Sequence, residues 1–313
     1  MDDALLLSNR MPAIEALLES LGESARQDVA TRMLALCADP GVPLLQRVSA
    51  GNVLGWLGDP RIQILAPAMC RVPLGAFWMG IDAADCAAVA ARYGIPVAWM
   101  LKSTPRHRVE LDAYEIARFP VTQGEWAQFL EATDTGAVPA HWRERRPPRH
   151  ARNHPVWGVP WETAVLYAEW VSERSGVQYR IPSEAEWEKA ARGTDGRAFP
   201  WGERFEARRC NTREGGMGST TPVGVYPDGA SPYGALDMAG NVEEFTADLY
   251  WPYPGSQHVD GEFGSYRVTR GGVFCLDADL ARCDRRHGGG GPVPTGLRLC
   301  RSAADEWLGR GDA

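Results

Sequence analysis

Glycine, proline and tryptophan constrain the fold of this chain more than any other feature. The 313 residues include 34 Gly, 23 Pro and 12 Trp, and most of them follow residue 70. Glycine and proline interrupt regular elements, whereas tryptophan buries a large surface and can hold a connection in place. The sequence therefore predicts long irregular connections, held by aromatic side chains, rather than regular layers after residue 70.

Composition and charge exclude several classes of protein. Hydrophobic residues make up 44% of the chain and charged residues 23%, which is typical of a folded domain. The net charge of −7 opposes binding to nucleic acid, and no apolar run reaches the roughly 20 residues that span a bilayer. Seven cysteines lack metal-ligand spacing, which predicts reduced thiols. We expect a cytoplasmic protein that contacts neither nucleic acid nor membrane.

The first 64 residues carry a helical pattern. Apolar residues recur at helical spacing over 11–38, with a break near Gly22, and again over about 43–57, before Gly58. The segment resembles a fragment of a HEAT-like helical repeat. We interpret 1–64 as a helical appendage that could dock a protein partner, for example within a larger assembly. The alternative is a helical cap that packs on the rest of the chain.

Residues 65–313 are predicted to form a second, mixed domain. Thr122 and Glu125, and again Ser183 and Glu186, have the spacing of a capping box at a helix N-terminus. A third helix is predicted over 161–175. Short strands are predicted at the ranges 72–79, 107–111, 114–116, 266–270 and 297–300. The predicted class is α+β with few short strands and long loops.

An ordered set of motifs in the second domain resembles the formylglycine-generating enzyme (sulfatase-modifying factor) family. The resemblance covers roughly residues 70 to 301 and implies a C-type-lectin-like fold of the formylglycine-generating-enzyme type. The principal motifs are Arg71 to Gly80, Arg118 to Trp126, Tyr179 to Gly193, Phe199 to Gly202, Asp237 to Glu244, Arg270 to Gly272 and Gly296 to Arg298.

The family includes oxidases, other enzymes and non-catalytic binders, so the site residues must decide the function. In members that oxidise a sulfatase cysteine, two thiolates five residues apart hold copper. Here Cys275 is followed at that distance by Leu280, so we expect neither copper nor catalysis. The alternative is a copper-dependent formylglycine-generating oxidase in which Cys283 replaces the second thiolate. The six histidines show none of the pairing that a non-haem iron site would need.

The segment 273–295 is bracketed by Arg270-Gly-Gly and Gly296-Leu-Arg. This arrangement resembles the variable proteins of diversity-generating retroelements, which carry a C-terminal variable region in the same bracket. The resemblance implies a non-catalytic protein that binds a protein or peptide ligand through a diversified surface. The alternative is an ordinary glycine-rich surface loop. The predicted ligand-binding residues are Val273, Cys275, Leu276, Asp277, Asp279, Leu280, Arg285, His287, Val293 and Thr295.

One stretch resembles the structural calcium loop of the family. The resemblance implies that calcium is held by the side chains of Asp237 and Glu244 and the carbonyls of Gly240 and Val242. Glu243 stands where the family usually has an aromatic residue. The alternative is a turn without metal, because acidic side chains also cap backbone amides.

Overall fold

The computed structural model describes residues 13–288 and 293–303. Its N-terminal part is helical, as predicted. Residues 13–20 form α1, and the break at Gly22 separates them from α2 (Glu23–Ala38). The helix α3 (Leu44–Leu57) ends at Gly58, whose φ of 95° is readily adopted only by glycine.

Helices α2 and α3 share a hydrophobic core with the second domain. Leu54 of α3 is fully buried in a cluster that also contains Val225 and Tyr226. Asn153 reinforces this contact, since its Nδ2 donates to the carbonyl of Gly51 over 2.9 Å. The described N-terminal helices therefore pack as a cap on the rest of the chain, while the boundary at 64 and the docking of a partner stay predictions.

The second domain contains three predicted helices and two that the sequence analysis did not find. Both capping boxes are confirmed: each hydroxyl accepts from the backbone of the residue three positions later, and that residue's carboxylate accepts in return. The short helices α4 and α5 were missed. The five are α4 (Cys86–Tyr93), α5 (Val97–Leu101), α6 (Gln123–Ala132), α7 (Trp161–Ser175) and α8 (Glu184–Arg192).

The strands of the described residues form three small sheets. In the order of hydrogen bonding these are β1-β4-β8, β2-β3 and β6-β5-β7, with β5 and β7 parallel and all other pairs antiparallel. The strands are β1 (Met69–Val72), β2 (Gly75–Met79), β3 (His107–Leu111), β4 (Tyr114–Ala117), β5 (Glu243–Leu249), β6 (Arg267–Arg270), β7 (Thr295–Gly296) and β8 (Cys300–Ser302).

Two strand predictions were wrong in their bounds. The predicted strand at 72–79 is two strands in different sheets, because Pro73 has no N–H with which to continue the ladder. Of the predicted strand at 297–300, residues 297–299 lie between β7 and β8, and Cys300 begins β8. There, single hydrogen bonds from the amides of Val121 and Ala117 to the carbonyls of Leu297 and Leu299 replace a ladder.

Tryptophans anchor the core, as the composition predicted. Trp126 and Trp187 are fully buried in two separate clusters. Trp126 lies 5.6 Å from the ring of Tyr167 in a stacked arrangement, and Trp187 donates to Glu244 over 2.7 Å. Within 13–288 and 293–303, no helix has both the length and the apolar character required to cross a bilayer.

Candidate functional site

A cleft of about 500 Å³, here called cleft A, lies beside the C-terminal segment. One wall comes from Ile95 and Trp99, on and next to α5, and another from Tyr266, immediately before β6. Seven of the ten predicted ligand-binding residues line the cleft: Leu276, Asp277, Asp279, Leu280, Arg285, His287 and Val293. The tertiary structure thus gathers most of the predicted set at one place.

The walls of cleft A are held by stacked rings and ion pairs. Tyr266 stacks on Tyr250 with ring centroids 4.9 Å apart. Lys102, at the end of α5, places its Nζ 2.7 Å from a carboxylate oxygen of Glu262. Trp99 remains exposed on the rim, and its carbonyl accepts from Arg285. The cleft therefore has a fixed floor and an accessible aromatic edge.

Three of the predicted surface residues are buried, which corrects the expectation that the whole segment points to solvent. Arg285 Nε lies 2.8 Å from Asp279 Oδ2, and each side chain is 3% exposed. Val273 is 1% exposed. Because a buried charge must keep its partner, Asp279 and Arg285 cannot be exchanged freely.

The other predicted residues remain accessible. Cys275 and Asp277 are exposed, and the side chains of the remaining five are partly exposed. A short 3₁₀ turn, Arg213–Gly215, fixes this part of the segment. Arg213 Nη1 lies 2.9 Å from Asp277 Oδ1, and Glu214 accepts from the amide of Ala278 over 2.8 Å. The accessible residues therefore extend from a positioned backbone.

A buried charge network that the sequence analysis missed lies behind the segment. Arg270 Nη2 lies 2.6 Å from Glu188 and 2.9 Å from Glu184, and Arg286 Nε lies 2.8 Å from Glu184. All four side chains are buried. The sequence signal for this network was the group of three arginines at 282, 285 and 286, in a segment, 273–295, that contains no lysine.

A second cleft of about 580 Å³, cleft B, lies on one face of the sheet β6-β5-β7. Alternate residues of β5 and β6 line it, together with Trp161 at the start of α7. Thr295, from the predicted set, lines this cleft and not cleft A. The two clefts share four lining residues: Tyr266, His287, Gly288 and Val293.

Residues 57–303 match the model of the sulfatase-modifying factor enzyme 1-like domain. The chain belongs to the sulfatase-modifying factor family. The family resemblance drawn from the motifs is confirmed. The match begins at the last residue of α3 and covers the described residues of the second domain.

Members of the sulfatase-modifying factor family similar to this chain include enzymes and an inactive protein. The hercynine oxygenase of Mycobacterium tuberculosis is 31% identical over 250 residues, covering 66% of this chain and 53% of that protein. The inactive C-alpha-formylglycine-generating enzyme 2 of Mus musculus is 30% identical over 253 residues, covering 64% of this chain and 76% of that protein. The chain spans about half the length of the hercynine oxygenases it matches.

A solved structure shows the same fold. Treponema denticola variable protein 1 superposes with a TM-score of 0.56 and 21% identity, covering 75% of this chain and 95% of that one. The predicted α+β, C-type-lectin-like architecture is confirmed.

The two cysteines considered for copper lie in different environments. Cys275 is exposed, whereas Cys283 is fully buried beside Trp187 in the core, and burial raises the pKa of each thiol. Neither lines cleft A or cleft B. With one thiol exposed and the other buried in the core, the arrangement gives the oxidase alternative no support.

The residues that the family resemblance implies for calcium do not fit that ion. Both carboxylate oxygens of Glu244 bond to Arg298, at 2.7 and 2.9 Å. Asp237 accepts from the amide of Gly224 and from Asn241. Each of the four carboxylate oxygens of Asp237 and Glu244 therefore already accepts a hydrogen bond from the protein itself.

Proposed function

We propose that this chain is a non-catalytic ligand-binding member of the sulfatase-modifying factor family, and that its ligand is a segment of a partner protein. The observation that carries the proposal is cleft A, which gathers seven of the ten residues selected from the sequence. The family contains an inactive member as well as enzymes, so a binding role has precedent on this scaffold.

The chemistry of cleft A favours an apolar or aromatic side chain of the ligand. Charged side chains that line the cleft have partners of opposite charge: Lys102 with Glu262, Arg285 with Asp279, Arg286 with Glu184, and Asp277 with Arg213. The surface left for a ligand includes the apolar set of Ile95, Trp99, Leu276, Leu280 and Val293. Apolar pockets with a polar rim supply the anchoring contacts of protein interfaces.

Peptide selection tests this proposal directly. Random peptides displayed on phage are selected on the wild-type chain, and enriched peptides are then titrated against Leu276→Asp. A charge placed in the apolar wall should weaken binding by about 2 kcal/mol, or roughly thirtyfold. The matched control is Leu74→Asp, since Leu74 is 73% exposed and lines neither cleft.

The selection and the titrations have one outcome that supports the proposal and two that contradict it. Weakening by Leu276→Asp with no effect of Leu74→Asp supports the proposal. Enriched peptides that bind all three proteins equally would locate the ligand elsewhere, and a selection without enrichment would remove the peptide ligand.

We also propose that only the accessible part of the segment is diversified. The bracket of Arg270-Gly-Gly and Gly296-Leu-Arg supports this proposal. So do two hydrogen bonds to the backbone of the segment: the amide of Arg213 donates to the carbonyl of Leu276, and Glu214 accepts from the amide of Ala278. Interchangeable side chains are tolerated where they extend to solvent from a backbone held by other contacts. The buried pair of Asp279 and Arg285 lies outside this set.

A further inference from the structure

The floor of cleft B is a buried carboxylate. Glu243 lines the cleft, yet the residue is only 1% exposed. Its Oε2 accepts from the hydroxyl of Thr269 over 2.9 Å. Its Oε1 lies 2.7 Å from Nδ1 of His287, but the two atoms lack hydrogen-bond geometry, and each has no partner among the described residues.

Five other buried acids around the C-terminal segment are paired with arginines. Each has an arginine nitrogen within 3 Å, which compensates its charge in the low-dielectric interior. These pairs are Glu184 with Arg286, Glu188 with Arg270, Glu244 with Arg298, Asp279 with Arg285, and Asp284 with Arg282. Glu243 differs from these five acids, because its ion-pair neighbour among the described residues is the imidazole of His287 and not a guanidinium.

The arginine that lines cleft B is held away from Glu243. The guanidinium of Arg267 lies over the ring of Trp161, 4.5 Å from its centroid, and donates to the carbonyl of Ala247. Phe245 packs edge-on against the same tryptophan, with centroids 5.7 Å apart. The cleft therefore combines aromatic walls with an acidic floor whose neighbour is an imidazole and not a guanidinium.

We propose that cleft B binds a cationic side chain, a lysine or an arginine of the ligand, with its charged group at the Glu243 carboxylate. Burying a carboxylate without a guanidinium partner is costly, and a cation from the ligand reduces that cost. The aromatic walls suit the alkyl stem and the charge of such a side chain. This inference rests on the proposed function, because one bound segment reaches both clefts across the residues they share.

The first test is thermal unfolding without ligand. Glu243→Gln removes a buried charge that has no guanidinium partner and should raise Tm by about 2 °C. The matched control is Glu244→Gln in the same strand, equally buried but paired with Arg298, which should lower Tm. If Glu243→Gln lowers Tm as much as Glu244→Gln, then Glu243 is a structural residue and the proposal is overturned.

The second test is direct binding of a cationic probe. N-acetyl-arginine methylamide is titrated calorimetrically against the wild type, with N-acetyl-citrulline methylamide as its neutral isostere. Glu243→Gln should weaken binding of the arginine probe about tenfold, as should the change to citrulline. Glu110→Gln, an exposed acid on β3 outside both clefts, should have no effect.

Three results would each overturn the proposal. They are equal affinity of the wild type for the two probes, equal affinity of the wild type and Glu243→Gln for the arginine probe, and no heat from the arginine probe up to its solubility. None of these results affects the peptide selection on cleft A, which depends on Leu276. Failure of the cationic subsite is therefore distinguishable from failure of the proposed function.

Discussion

At the scale of single residues, buried arginines decide how the C-terminal segment is held. Arg270 and Arg286 converge on Glu184, which starts α8. Burial raises the pKa of Glu184, but the charges of the two arginines outweigh burial and hold that pKa below its usual value. The folded state therefore binds the proton of Glu184 more weakly than the unfolded state does.

This carboxylate predicts a dependence of stability on pH. A lowered pKa stabilises the fold above the unfolded value of about 4.3, and the contribution disappears as the pH falls towards the folded-state pKa. We expect Glu184→Gln to lower the free energy of unfolding by about 3 kcal/mol near pH 7, because both arginines lose a partner. On acidification, the free energy of unfolding of this variant should fall less than that of the wild type.

Urea unfolding of both proteins at a series of pH values measures these differences. The exposed variant Glu110→Gln serves as control. Parallel pH profiles for the wild type and Glu184→Gln would contradict the assignment.

At the scale of elements, the close contact of α3 with the second domain deserves a direct test. A Cβ added at Gly51 would lie 2.5 Å from Cβ of Pro222, which is too close for either element to keep its position. Gly51→Ala should destabilise the fold by about 1–3 kcal/mol, as overpacking does.

The control is Gly261→Ala, where a Cβ meets no atom within 4 Å. Chemical denaturation with separate probes of helix content and tryptophan fluorescence measures both variants. If Gly51→Ala keeps wild-type stability, α3 does not pack on the second domain as a fixed cap.

At the scale of the whole molecule, the fold presents accessible residues of the C-terminal segment, most of which line cleft A. If that surface is diversified by a retroelement, the surrounding DNA should contain a near-copy of the segment encoding residues 270–300, beside a reverse transcriptase gene. Codon differences should fall at the accessible positions Cys275, Leu276, Asp277, Leu280, His287, Val293 and Thr295. The codons of buried residues should match, because an unpaired buried charge costs about 3–5 kcal/mol.

Sequencing of the flanking DNA checks this expectation. Absence of the near-copy, or differences concentrated at the codons of Asp279 and Arg285, would remove the retroelement interpretation. Ligand binding in cleft A does not depend on that outcome.

The sequence by itself determined the features that depend on neighbours along the chain. The capping boxes at Thr122 and Ser183 were predictable because each hydrogen-bond pair spans three residues. The end of α7 at Gly176 was predictable for the same kind of reason, since glycine readily adopts the left-handed conformation observed there. The ordered motifs determined the family and, through it, the fold.

Tertiary structure alone decided which residues of 273–295 are exposed to solvent and which side chains the others contact. Glu184 and Arg286 are 102 positions apart, and Glu243 meets His287 only because Thr269 pairs with His287 at the sheet edge. Contacts of this kind leave no periodic signal, because burial and charge pairing depend on distances in space and not on spacing along the chain. The clefts and the buried carboxylate at the floor of cleft B were therefore visible only in the folded molecule.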